Sequence, residues 1–234
     1  MINVYQECPK FESQKYLLRY VMNEDCSDLL KVYSDRISVP LFNSDNCGGD
    51  DFYYTTLERM KNAIDYWHSE YDRKGFVRWT IIDKSNNIAV GTIELFNRSA
   101  KDYFANCGLL RLDLRSDYET TEEIESILAL IVPHTYDLFE CDKVATKAKL
   151  AALQRINALV KFGFRRTNEK LIGHDGTKYN AYYVITKWAQ YAVSPSLWAS
   201  HFINNSKLKG PLQLHIRPVT NSNQDINYMN YMEE

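Results

Sequence analysis

The chain reads as a mixed α/β (α+β) domain with one parallel strand pair at its centre and antiparallel hairpins on either side. Three observations predict this. In Gly108-Leu-Leu-Arg-Leu-Asp-Leu-Arg115, leucines alternate with charged residues, the period of a strand with two unlike faces. After the polar turn Ser116 to Thr121, Ile124, Ile127, Leu128, Ile131 and Leu138 recur at helical spacing to about Phe139. Lys143 to Ala148 then reads as a second strand, followed by a helix carrying Leu150, Leu153, Ile156 and Leu159 that stops at Gly163. Two strands joined by a crossover helix run parallel.

The remaining elements follow in chain order. Residues 1–14 read as an arm. Leu17 to Val21 is a first strand, and Asn23 or Asp25 caps a helix with Leu29, Leu30, Val32 and Tyr33 on its apolar face. Asn43 to Asp51 has loop composition and is acidic through Asp45, Asp50 and Asp51. A long helix from about Tyr54 to Arg73 places Leu57, Met60, Ile64 and Trp67 on one face. Phe76 to Asp83 and Ile88 to Phe96 form a hairpin around Lys84 to Asn87. Arg165 to Ile172 and Lys178 to Lys187 form another around Gly173 to Gly176. From Trp188 the pattern changes to a short helix near Trp198 to Ile203, an edge strand at Leu212 to Pro218 and a loose Asn-rich end. This gives a domain over 13–187 and an extension over 188–234, packed on that domain or on a partner.

Composition narrows the function classes. Of the 234 residues, 45% are hydrophobic, enough for a substantial core. The net charge of −2 offers no broad basic field for nucleic acid. No apolar run approaches a membrane span, and the N-terminus lacks a signal-peptide pattern. The five cysteines are odd in number and scattered without Cys-x-x-Cys spacing, which fits reduced thiols in a cytoplasmic protein. The histidines are isolated, so no metal site is expected.

Lys161-Phe-Gly-Phe164 closing the last helix resembles the signature that ends the fourth helix of the GNAT N-acyltransferase superfamily. The opening Tyr16-Leu-Leu-Arg-Tyr-Val21, with Asn23 to Leu30 and Val32 to Asp35 behind it, is similar to the branch that includes the ribosomal-protein N-acetyltransferases. The resemblance covers roughly residues 13–187. It implies a twisted, mostly antiparallel sheet flanked by helices, with a splayed central parallel pair that holds acetyl-CoA as cosubstrate. Backbone groups of Leu112, Asp113 and Leu114 would then bind the pantetheine arm and stabilise the oxyanion of the thioester carbonyl. The diphosphate would sit at the helix N-terminus near Arg115, Ser116, Thr120 and Thr121, with Arg155 a further phosphate contact.

The sequence departs from the family at this turn. The family pattern is Arg or Gln, two residues, Gly, one residue, Gly or Ala; here Arg115-Ser-Asp-Tyr-Glu-Thr-Thr121 has no glycine. Asp117, Glu119, Glu122 and Glu123 would each repel a phosphate by about 1 kcal/mol at 4 Å in water-like surroundings. Thr120-Thr-Glu-Glu123 is itself a capping box, with Glu123 returning to the Thr120 amide. The family's Asn, Ser and leaving-group Tyr are replaced by Ala152, Arg155 and Leu159.

The base that takes a proton from the amine would be Glu94 or Asp113, both on strands beside the cleft. Against this stands a salt bridge to Arg78, Arg98 or Arg111. The acidic loop at Asp45 to Asp51 would favour a cationic acceptor, or simply be solvated. Two functions therefore stay open. One is an acyl-CoA-dependent N-acetyltransferase acting by direct attack of a primary amine, from a protein N-terminus or a small molecule. The other is a catalytically silent GNAT-like domain that binds a ligand or partner. The exposed hairpin and the tail offer surfaces for a homodimer. Acyl transfer requires that the two parallel strands part and that the gap between them admit a thin cofactor arm.

Overall fold

In the computed structural model, residues 3–187 are described; the short helix, edge strand and loose end expected beyond Trp188 lie outside them. The strands are β1 (Phe11–Glu12), β2 (Tyr16–Tyr20), β3 (Val77–Asp83), β4 (Ile88–Arg98), β5 (Cys107–Leu114), β6 (Lys143–Lys147), β7 (Arg165–Arg166), β8 (Leu171–Ile172), β9 (Lys178–Tyr179) and β10 (Tyr182–Thr186). The helices are α1 (Cys26–Tyr33), α2 (Leu57–Asp72), α3 (Thr121–Leu138) and α4 (Leu153–Phe162). Eight strands form one sheet in the order β1-β2-β3-β4-β5-β6-β10-β7, and β8 and β9 form a separate ladder. All the pairings are antiparallel except β5 with β6. The mixed, mostly antiparallel sheet with a central parallel pair is the one the sequence predicts.

Alternation along the strands places apolar clusters on both faces of the sheet, with a further one around Phe104, Leu109 and Tyr182. Val77, Trp79 and Ile81 of β3, Ile93 and Leu95 of β4, and Leu110, Leu112 and Leu114 of β5 pack with Ile124, Ile127, Leu128 and Ile131 of α3. On the other face, Leu29, Val32 and Tyr33 of α1 pack with Met60, Ile64 and Trp67 of α2. Thr56 caps α2, its side chain accepting from the Arg59 amide. Gly163 ends α4 at φ +110°, a left-handed position that a side chain would strain.

Two readings of the sequence are corrected, for the arm and for Leu150. The arm is not detached: Val4 lies in the core, Phe11–Glu12 pairs with β2, and the Pro9 carbonyl accepts from Trp79 Nε1 at 2.8 Å. The second hairpin forms as expected, β8 pairing with β9 next to the turn and β7 with β10 farther out. Its outer ends also extend the main sheet, because Tyr182 to Thr186 pairs with β6. Leu150 precedes α4 and is 69% exposed, so it belongs to neither helix nor core.

Candidate functional site

β5 and β6 part. Their pairing runs from Cys107 opposite Lys143 to Leu110 opposite Thr146 and then stops, while β5 continues to Leu114. Backbone groups point to opposite sides on alternate residues of a strand. The Arg115 amide donates to Val90 beside β4, so the odd-numbered residues of β5 face β4. Leu112 and Leu114 therefore turn their backbone groups toward the gap, and Asp113 does not. This removes the Asp113 amide from the set expected to meet a pantetheine arm.

The gap is not empty of protein. Arg155 comes from α4 and is 2% exposed, not on the surface as helix arginines commonly are. Its Nη1 donates to the Leu112 carbonyl at 2.8 Å, and its Nε and Nη2 donate to the two Glu119 oxygens at 2.7 Å each. Glu119 belongs to the turn expected to receive a diphosphate. The other residues of that turn are also satisfied from within. The Ser116 amide donates to Asp35 Oδ2 at 2.8 Å, so a carboxylate lies on the amide where an anion was expected. Asp35 is pushed up by burial, but its hydrogen bonds from Ser116 and neighbouring amides outweigh this and hold it below its ordinary value. The Thr121 amide donates to Gln154 Oε1 at 3.2 Å. Arg115 makes a two-pronged pair with Asp117 at 2.6 and 2.8 Å. Thr120 caps α3 through the Glu123 amide, but only half of the capping box forms, because the Glu123 carboxylate turns to Lys15 and Tyr16. The Leu112 and Leu114 backbone groups suit a pantetheine arm, but the Leu112 carbonyl is taken by Arg155, and a diphosphate does not fit the turn as it stands.

On the α1/α2 face, a charged row crosses three strands. Register sets Arg78 of β3 opposite Glu94 of β4, and Glu94 opposite Arg111 of β5; Thr80, Thr92 and Asp113 form the next row. A bulge between Ile81 and Ile82 makes this alignment. Glu94 takes Arg78 Nη2 on one oxygen and Arg111 Nη1, at 2.5 Å, on the other. Burial pushes Glu94 up, but Arg111 and Arg78 outweigh it and hold the carboxyl below its usual range. With both oxygens bound and its proton affinity lowered, Glu94 is a poor proton acceptor; the salt bridge weighed against its catalytic role is the arrangement present.

Asp113 differs. Its Oδ2 accepts from Tyr33 Oη at 2.8 Å and Arg78 Nη1 at 3.1 Å, while its buried Oδ1 has no partner. Burial raises its proton affinity against the opposing pull of Arg78 and Tyr33. Tyr33 also bonds Thr92 Oγ1 at 2.8 Å and accepts from Arg78 Nη1 at 2.8 Å. Arg98, the third partner considered, pairs instead with Asp102.

Arg78, Glu94 and Arg111, but not Asp113, form part of the wall of a cleft of about 970 Å³ between α2, the loop after α1, β4 and β5, and the turn after β8. Its aromatic wall includes Trp67 and Phe96, with the Arg78 guanidinium 4.2 Å over the Trp67 ring. Two of the three carboxylates of the acidic loop are paired with basic side chains. Asp45 is held by Lys147 at 2.6 Å and Asp50 by Arg59 at 2.5 Å. The pull expected on a cationic amine is thereby reduced to that of the exposed Asp51. The five cysteines are free thiols, each pushed up by burial, Cys107 to about 12. None is poised as a nucleophile. Among the described residues, no group of three or more His, Cys, Asp or Glu could hold a metal, and no helix is long and apolar enough to cross a membrane.

Sequence reasoning missed Tyr33, Asp35 and Gln154. Tyr33 read as one more apolar position of α1, and Asp35 and Gln154 carried no spacing signal, because each acts on an element distant in sequence.

The comparison with solved structures decides the fold. A GCN5-related N-acetyltransferase from Brucella melitensis superposes with a TM-score of 0.61 at 13% identity, over 82% of this chain and 85% of that one. The chain has the GNAT fold. Mycobacterium smegmatis RimJ, solved in complex with CoA-disulfide, matches with a TM-score of 0.59 at 14% identity, over 82% of this chain and 90% of that one. A ribosomal-protein-S5-alanine acetyltransferase from Vibrio fischeri matches at 0.57 and 12% identity, over 76% and 97%. The Brucella and Vibrio proteins are acetyltransferases by their descriptions. No family model matches the chain, and no curated protein matches it.

Proposed function

We propose that this protein is an N-acetyltransferase that moves an acetyl group from acetyl-CoA to a primary amine by direct attack. The observation that carries the reading is the parting of β5 and β6 after Leu110 and Thr146, within a GNAT fold. Acetyl-CoA would supply an activated thioester acyl group. The backbone of Leu112 and Leu114 would hold its pantetheine arm, with a Leu114 or Leu112 amide facing the thioester oxygen. The amine, on a protein N-terminus or a small molecule, would enter from the cleft on the α1/α2 face. Asp113 is the residue that takes the amine proton, at the unpartnered Oδ1. Glu94 is a positioning residue that fixes Arg78 and Arg111 around it. The free thiols fit a cytoplasmic setting.

A second reading is favoured by a specific observation: Arg155, Asp35 and Gln154 fill the places a CoA would need. On that reading the domain binds a ligand in the cleft without acyl transfer. Incubation with acetyl-CoA and either an alanine-ended peptide or a small diamine, followed by mass spectrometry, separates the two. Acetylated amine, reduced roughly a hundredfold in Asp113→Asn, supports the enzyme. No acetylated product with either amine supports the silent domain.

A further inference from the structure

We infer that Arg155, braced by Glu119, is a specificity-determining residue that holds down the protein's affinity for acyl-CoA. The inference rests on the reading that the gap between β5 and β6 is the acyl-donor seat. Three observations meet there. The only backbone groups of β5 that face the gap beyond the last paired residue are those of Leu112 and Leu114, by the alternation anchored at Arg115. Arg155 Nη1 sits on the Leu112 carbonyl at 2.8 Å. The rest of its guanidinium is fixed by a two-pronged pair with Glu119 at 2.7 Å on each prong.

The pair is built into the interior. The Arg155 side chain is 2% exposed and that of Glu119 is 7% exposed. Glu119 also ties the plug to the turn that precedes α3, so the donor's two ends cannot be seated independently. A pantetheine amide can reach the Leu112 carbonyl only after Arg155 leaves it. If Arg155 leaves, Glu119 becomes a buried carboxylate without its partner, next to the place where the donor's phosphates would lie. Gln154, the neighbour of Arg155 on α4, holds the Thr121 amide in the same way, so one helix end covers both parts of the seat.

The test is calorimetric titration of desulfo-coenzyme A into the full chain and into the double variant Arg155→Ser/Glu119→Gln, which removes both charges together and strands neither. The double variant should bind at least tenfold more tightly than the unaltered protein, and its KM for acetyl-CoA should fall with kcat changing less. Equal or weaker binding by the variant overturns the inference. If the unaltered protein binds in the micromolar range and the variant more weakly, Arg155 is a phosphate contact, and the acyl-transfer reading stands without the plug. If neither binds at millimolar ligand, the plug and the acyl-transfer reading fall together. Should the double variant not fold, Arg155→Lys carries the same comparison, since it keeps the charge and loses the fork.

Discussion

Glu94→Gln tests the charged row most sharply, because it changes one charge and almost no volume. In the folded protein Glu94 is 1% exposed and answers two buried guanidiniums, Arg78 and Arg111. An amide can accept from only one of them, and its NH₂ would point donor to donor at the other. Arg78 keeps Asp113, but Arg111 keeps only the Asp45 carbonyl. Breaking a buried pair by removing one partner costs about 3–5 kcal/mol. For a domain of this size that is a fall in Tm of roughly 6–20 °C. The assay is thermal and urea unfolding of both proteins at neutral pH. The pH dependence supplies a second check. Glu94 has its folded pKa depressed below the ordinary 4.5, so its contribution is present above that value and lost as pH falls through the depressed one. The two stability curves should therefore converge only in acid, below the ordinary glutamate value. A change in stability under about 1 kcal/mol at neutral pH, or a difference that persists unchanged into acid, refutes the reasoning.

Other predictions follow from the same geometry. Asp113 has the opposite sign: its proton affinity is raised above the ordinary 3.8, so the folded state binds the proton more tightly and stability falls as pH rises through the raised value. Asp113→Asn should flatten that decline in urea unfolding followed between about pH 4 and 7. Gly91→Ala would drive a Cβ into the Asp113 carbonyl oxygen, a backbone atom that cannot turn away, and should push β4 from β5 and cost about 2 kcal/mol or more by chemical denaturation. Thr120→Ala removes the cap of α3 and should cost about 1 kcal/mol, read by urea unfolding.

The fold was legible because its sheet is built from strands whose two faces differ in polarity. Leu110, Leu112 and Leu114 must point one way, and Arg111 and Asp113 the other, whatever their partners. The parallel pair followed from a helix long enough to cross between β5 and β6. The site was less legible because it depends on register and on one helix side chain. With a plain hairpin continued from the Asp83 and Ile88 pair, Arg78 would face Ile93; the bulge at Ile81 and Ile82 moves it opposite Glu94. No local pattern marks that bulge. Arg155 read as a phosphate contact, and only packing of α4 across the gap shows its guanidinium on the Leu112 carbonyl and Glu119 instead. The extension's aromatic residues stand outside the described part of the chain, and its packing on the domain or on a partner stays a proposal.

The most direct measurement is an amide NMR titration of the protein with desulfo-coenzyme A. The account predicts shifts centred on the Leu112 and Leu114 amides, together with the Arg155 Nε resonance as it leaves the Leu112 carbonyl and Glu119. Shifts confined to the α2 cleft, or none at millimolar ligand, would contradict it.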